Sequence, residues 1–65
     1  MLTGEQIRAA RAILRMDQIT LAQEAGISVE TVKRLEKFDG PLDAKTGTLE
    51  AIEDVFVSEI GRAHV

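Results

Sequence analysis

The stretch Gln18-Ile19-Thr20-Leu21-Ala22-Gln23-Glu24-Ala25-Gly26-Ile27-Ser28-Val29-Glu30-Thr31-Val32-Lys33-Arg34-Leu35-Glu36 decides the fold. It reads as two short helices joined by a tight turn. Asp17 can cap the first by accepting a backbone N–H, and Leu21, Ala22 and Ala25 fall on its inward side. Ala22 is small enough to let a second helix come close. Gly26 stands where a left-handed residue would end the helix, because only glycine enters that conformation without steric cost. Ile27 fills the angle between the two helices, and Ser28 is a strong N-cap for the second. There Val32 and Leu35 lie three apart on a buried face, while positions 30, 31, 33, 34, 36 and 37 carry polar or charged side chains. The unit leaves the outer face of its second helix in solvent. A helix of that size fits the major groove of B-DNA, where donor and acceptor patterns distinguish all four base pairs.

Upstream, Thr3-Gly4-Glu5-Gln6 has the form of a capping box, in which the threonine hydroxyl and the glutamine side chain satisfy each other's backbone N–H. Ile7, Ala10 and Leu14 follow at helical spacing beside Arg8, Arg11 and Arg15, so a first helix is expected to about Arg15. Downstream, Asp39-Gly40-Pro41 is turn chemistry that stops the third helix, with a loop to about Asp43. A last helix starts between Asp43 and Thr48 and sets Leu49, Ile52, Phe56 and Ile60 on one face, with Glu50, Glu53 and Asp54 outside. Gly47 weakens its first turn, and Gly61 is expected to end it. One domain over residues 1–60 and a C-terminal tail over 61–65 are expected.

Sixty-five residues allow one core, close to the size at which a chain needs disulfides, metal or a partner subunit to be stable. There is no cysteine, so neither a disulfide framework nor a thiolate metal site is open to it. Apolar residues at 45% and charged residues at 29% fit a folded domain rather than a disordered one. No apolar run is long enough to span a membrane, and the N-terminus reads as a helix start rather than a leader, so a soluble cytoplasmic protein is expected. The net charge of −3 opposes binding to a polyanion until it is located. Residues 1–46 hold as many basic as acidic side chains, and the excess of acid lies beyond them, in Glu50, Glu53, Asp54 and Glu59.

The central stretch resembles the Cro and phage-repressor helix-turn-helix family, also called XRE, at Gln18, Leu21, Ala22, Ala25, Gly26, Ile27, Ser28, Thr31, Val32, Arg34, Leu35 and Glu36. The opening Met1-Leu2-Thr3-Gly4-Glu5-Gln6-Ile7 and Gly40-Pro41 are similar to very short bacterial members, and the likeness covers roughly residues 3–60. Phe38 departs from it, standing where the family has a helix-ending glycine. The resemblance implies an all-α fold: a compact four- to five-helix DNA-binding domain with the helix-turn-helix at helices 2 and 3. It implies a dimeric transcriptional regulator, bacterial or phage-encoded, that represses from a palindromic operator in double-stranded DNA. Gln18 would bond a phosphate. Val29 would meet a thymine methyl, Glu30 would accept from a cytosine amino group, and Lys33 and Arg34 would donate to guanine or phosphate, with Ser28 and Thr31 on the same surface. Lys37 and Lys45 would touch the DNA backbone. Glu36 would pair with Arg11 in a structural role. Val55, Phe56, Val57 and Ile60 would form the homodimer interface, with Phe56 and Ile60 shared with the core face.

An enzyme fits poorly: the one histidine is His64, beside the C-terminus, and no serine or lysine has a base in reach, so no catalytic residue and no cofactor are assigned. Glu50, Glu53 and Asp54 read as a solvated face, since the oxygen-rich loop that calcium prefers is missing, and no metal is expected. The competing function is a protein-interaction module or antitoxin-like subunit that acts through a protein partner such as a toxin or another regulator. Ile13 and Ile19 sit where polar residues are commoner, but isolated exposed apolar residues are ordinary.

Overall fold

Three short helices are each opened by a side-chain cap that the sequence supplies within three residues. The computed structural model describes residues 2–38 and 46–63; the Asp39-Gly40-Pro41 turn, Lys45 and His64 lie outside them. In α1 (Gly4–Leu14) the Gln6 backbone N–H donates to the Thr3 hydroxyl at 3.2 Å, and the Thr3 N–H donates to Gln6 Oε1 at 2.9 Å. In α2 (Gln18–Ala25) the Thr20 N–H donates to Asp17 Oδ1 at 2.7 Å, and in α3 (Val29–Glu36) the Thr31 N–H donates to Ser28 Oγ at 3.2 Å. Each bond satisfies one of the backbone donors that a helix start leaves free.

The ends differ. α2 closes on Gly26 at φ 71°, whose N–H returns to Ala22 and Gln23. α1 closes on Arg15 in the same left-handed region, at φ 54°. α3 closes without a left-handed residue: Lys37 stays helical, and the Lys37 and Phe38 N–H groups turn back to Arg34 and Leu35 carbonyls at 3.3 Å. Such three-residue closure tightens a last turn with no positive φ. It explains how Phe38 can stand where a glycine cap was the family pattern.

The fourth helix, α4 (Thr46–Ala63), is longer than expected. Gly61 does not end it, and residues 61–63 belong to the helix rather than to a tail. A glycine stops a helix by turning left-handed; among the described residues only Gly26 does so. Without that turn Gly61 costs about 1 kcal/mol as a poor helix former, too little to break the run.

α2 lies at the centre of the packing, against α3 and α4, and α1 packs on α3 and α4. The core is Ile7, Leu21, Ala22, Val32, Leu35, Ile52, Val55 and Phe56, with Leu14, Met16, Ile27, Val29 and Leu49 among the residues half-buried around it. Each fully buried aliphatic side chain contributes about 1.5–3 kcal/mol relative to exposure. On α4 the spacing Ile52, Val55, Phe56 makes one inward stripe. Val55 and Phe56 are therefore core residues of the chain itself, not the surface interface residues that the resemblance implies. Val57, one step round the helix from Phe56, is 71% exposed, and Ile60, expected on the core face, is 51% exposed. Ile60 lies more than two turns past Ile52, and among the described residues no core residue follows Phe56 on this helix. Among the described residues no helix is long and apolar enough to cross a membrane.

Candidate nucleic-acid interface

The outward face of α3 is set by what its inward face buries. Val32, Leu35 and Glu36 are buried, which turns Glu30, Lys33, Arg34 and Lys37 into solvent. None of those four is in an ion pair among the described residues, where the two pairs present are Arg11–Glu36 and Glu59–Arg62. Three cations and one carboxylate thus stand free along one short helix. The other residues expected on this surface are partly committed to structure. Ser28 caps α3, and its Oγ lies 2.8 Å from the Thr31 hydroxyl, so the two hydroxyls satisfy each other at the helix start. Val29 is half-buried and packs on the core, leaving only part of its side chain to an incoming ligand.

Behind this face, Glu36 is the buried charge that ties three helices together; it is 4% exposed. Arg11 Nε donates to Glu36 Oε2 at 2.6 Å and Arg11 Nη2 to Oε1 at 2.8 Å, a forked pair from α1 to the end of α3. Its Nη1 donates to the Met16 carbonyl at 3.0 Å, which ties the link between α1 and α2 to the same point. Charge-assisted, two-pronged geometry of this kind fixes orientation as well as adding energy. The hydrogen bond to Glu36 raises the Arg11 guanidinium above its ordinary range against the opposing effect of burial, with the charges of Glu36 and Asp17 adding to it. Asp17 is held below the usual carboxylate range, first by the Thr20 backbone N–H and then by the Thr20 side chain, with a smaller contribution from Arg11.

Gln18, for which the family resemblance implies a phosphate contact, also makes a bond within the fold. It is half-buried, and its Nε2 donates to Glu36 Oε1 at 3.0 Å. One of the two amide hydrogens is spent there, so the side chain first fixes the start of α2 against the end of α3. Arg8 adds another tie by donating from Nη1 to the Glu36 carbonyl, one of the acceptors that the end of α3 leaves free.

Two features of this junction have no counterpart in the sequence reading. Gly4, the first residue of α1, lies against the end of α3 so closely that a Cβ there would stand 2.5 Å from the Leu35 carbonyl oxygen, 2.8 Å from that of Phe38 and 2.9 Å from that of Glu36. Only glycine fits. The available signal was a glycine in the first turn of a helix, where most other residues are better formers. The second feature is Arg8, which reads as a solvated arginine until α3 is folded against it.

α4 offers a different surface. Its outer side combines exposed Val57 and Ile60 with exposed Glu50, Glu53 and Asp54. Between α2 and α4 an open groove of about 410 Å³ is lined by Glu24, Ala51, Asp54, Val55, Ser58, Glu59 and Arg62. Among the described residues no group of His, Cys, Asp or Glu is arranged to hold a metal ion. No protein-family model, curated protein or solved structure matches this chain, so the reading of these surfaces rests on their own geometry.

Proposed function

We propose that the chain is a sequence-specific double-stranded DNA-binding transcriptional regulator, a dimeric repressor or autorepressor that reads the major groove with α3 as the second helix of a helix-turn-helix. The observation that carries this reading is the outer face of α3. Among the described residues Glu30, Lys33, Arg34 and Lys37 are exposed and in no ion pair, on a helix whose other side is locked into the core by Val32, Leu35 and the Glu36 network. A rigid helix with free donors and an acceptor suits base edges, where lysine and arginine donate to guanine and a carboxylate accepts from cytosine. The cations alone would give only the phosphate attraction common to every DNA sequence.

One short helix reads few base pairs, so the protein acts as a dimer, with Val57 and Ile60 of α4 as the exposed apolar residues at its contact. Two copies related by a two-fold axis read a palindrome whose half-sites lie about one helical turn, roughly 34 Å, apart. The test is selection of binding sites from a randomised duplex pool, repeated for Glu30→Ala, Lys33→Ala and Arg34→Ala. A palindrome should be recovered, and its preferred bases should change or relax with these substitutions. No enrichment, or binding indifferent to all three, refutes the reading.

A protein-interaction module is the second reading, and one observation favours it: Ile13, on the solvent side of α1, is 79% exposed although it is a large aliphatic residue. A partner protein seated there would be lost on Ile13→Glu with DNA binding intact.

A further inference from the structure

We propose that Arg15 is a further DNA-backbone contact, one that holds the flank of the site beside the end of α3; this rests on the DNA-binding reading above. Among the described residues Arg15 is the sole non-glycine residue with positive φ, at φ 54° and ψ 39°. Its backbone is the left-handed stop of α1, a position that glycine fills without steric cost. An arginine there is locally the wrong residue. Strained choices of this kind are retained where a side chain has work to do.

The surroundings say what that work is. Arg15 is exposed and in no ion pair among the described residues. The nearest acid in sequence, Asp17, has its carboxylate on the Thr20 N–H as the cap of α2. Two bonds place the segment that carries Arg15: the Met16 carbonyl accepts from Arg11, which holds Glu36, and Gln18 donates to Glu36 directly at 3.0 Å. The link from Arg15 to Gln18 is thereby fixed against the last residue of α3. Lys37, the next residue of the chain, is exposed at the same end. Arg15 and Lys37, two exposed cations in no ion pair among the described residues, are thus carried by segments tied to the same end of α3, where the reading helix would leave the groove. Charges there meet phosphates rather than base edges, and set affinity and register without reading sequence.

A rival role exists within the fold, since a cation at a helix C-terminus interacts favourably with the helix dipole. The two roles separate in Arg15→Gly and Arg15→Gln. Glycine removes both the charge and the backbone strain; glutamine removes the charge and keeps the strain. Binding is measured by fluorescence anisotropy to a mixed-sequence duplex and to the selected duplex from low to high salt, alongside thermal melting and with Arg34→Ala as reference.

One lost phosphate contact makes the slope of log K against log salt shallower by about 0.9, equivalent to about eightfold weaker binding at 0.1 M salt if the curves meet near 1 M. Arg15→Gly should melt higher than the parent chain yet bind both duplexes more weakly by that factor, with the base preference unchanged. Arg15→Gln should show the same loss of binding without the gain in melting temperature. Parent-like affinity and slope in both variants, while Arg34→Ala binds poorly, overturn the role of Arg15 and leave the DNA reading standing. Failure of the parent chain to bind either duplex overturns both.

Discussion

Replacing Gly4 by alanine sets two rules of opposite sign against each other. Alanine is the better helix former, and the substitution in a helix gains at most about 1 kcal/mol. The packing says otherwise. The new Cβ would lie 2.5 Å from the Leu35 oxygen, where ordinary contact begins at 3.4 Å, and two more backbone oxygens stand at 2.8 and 2.9 Å. These are carbonyls at the end of α3, so no side chain can swing aside. The start of α1 must retreat by about 0.9 Å from Leu35, the difference between those two distances. Over-packing of this kind costs about 1–3 kcal/mol. Retreat also loosens the bonds from Arg8 and Arg11 to Glu36, and hydrogen bonds to charged groups contribute about 1.5–3 kcal/mol. The balance is a net loss of about 2–4 kcal/mol, which for a domain of this size lowers Tm by at least about 8 °C. Circular dichroism melts of Gly4→Ala and Gly61→Ala make the comparison internal. Gly61 is a helical glycine with nothing within 4 Å of its would-be Cβ, so there the same substitution should stabilise. A Gly4→Ala melt equal to or above that of the parent chain would refute the close packing of α1 on the end of α3.

Arg11→Ala should unfold the domain before it alters any base preference. It strands the Glu36 carboxylate among buried groups at a cost of about 3–5 kcal/mol, comparable to the whole stability of a 65-residue chain. Urea unfolding measures the loss, Arg11→Met with Glu36→Leu should recover most of it, and a normal melt with lost DNA binding would contradict the structural role. Asp17→Asn keeps a capping oxygen but no charge. Because the native carboxyl sits below its unfolded value of about 3.9, the parent chain's advantage is full above that value and disappears as pH falls through the native one. Melts from about pH 6 to pH 2 should show the two proteins converge at the acid end, and a constant gap would refute the assignment. Val57→Glu should leave Tm of the protomer unchanged and weaken self-association in sedimentation equilibrium; an unchanged dimer constant would move the interface off this face of α4.

The legible parts of this fold are those whose physics is local. Thr3, Asp17 and Ser28 each cap a helix across three residues, and Gly26 turns the chain within one, so a reader needs only neighbours to find them. Ile7, Leu21, Val32, Leu35 and Ile52 follow from periodicity alone. Val55 shows the limit of that rule: three consecutive apolar residues leave open which two face inward, and the packing of α4 on α2 and α1 decides it. Gly61 shows the opposite error, since a residue able to end a helix need not do so. Gly4, Arg8 and Gln18 were unreadable because their partners lie 18 or more residues away at the end of α3. For Gln18 the bond to Glu36 uses one amide hydrogen and is added to the phosphate contact that the family pattern implies.

The same distinction between local and global resolves the charge of the candidate interface. A net charge of −3 describes a point, whereas a phosphate a few ångströms from α3 responds to what lies within a screening length, about 8 Å at physiological salt. α4, which carries exposed Glu50, Glu53 and Asp54, packs on α2 and α1. Its Ile52–Val55–Phe56 stripe packs inward, so those carboxylates lie on the side of α4 turned away from the core. Within a screening length α3 itself presents Lys33, Arg34 and Lys37 against Glu30, and the buried Glu36 is already matched by Arg11. The acidic total keeps the protein from binding polyanions wherever they touch it. Among the described residues the outer face of α3 is a short basic surface held rigid from behind by Glu36, and it is there that the proposed encounter with DNA would take place.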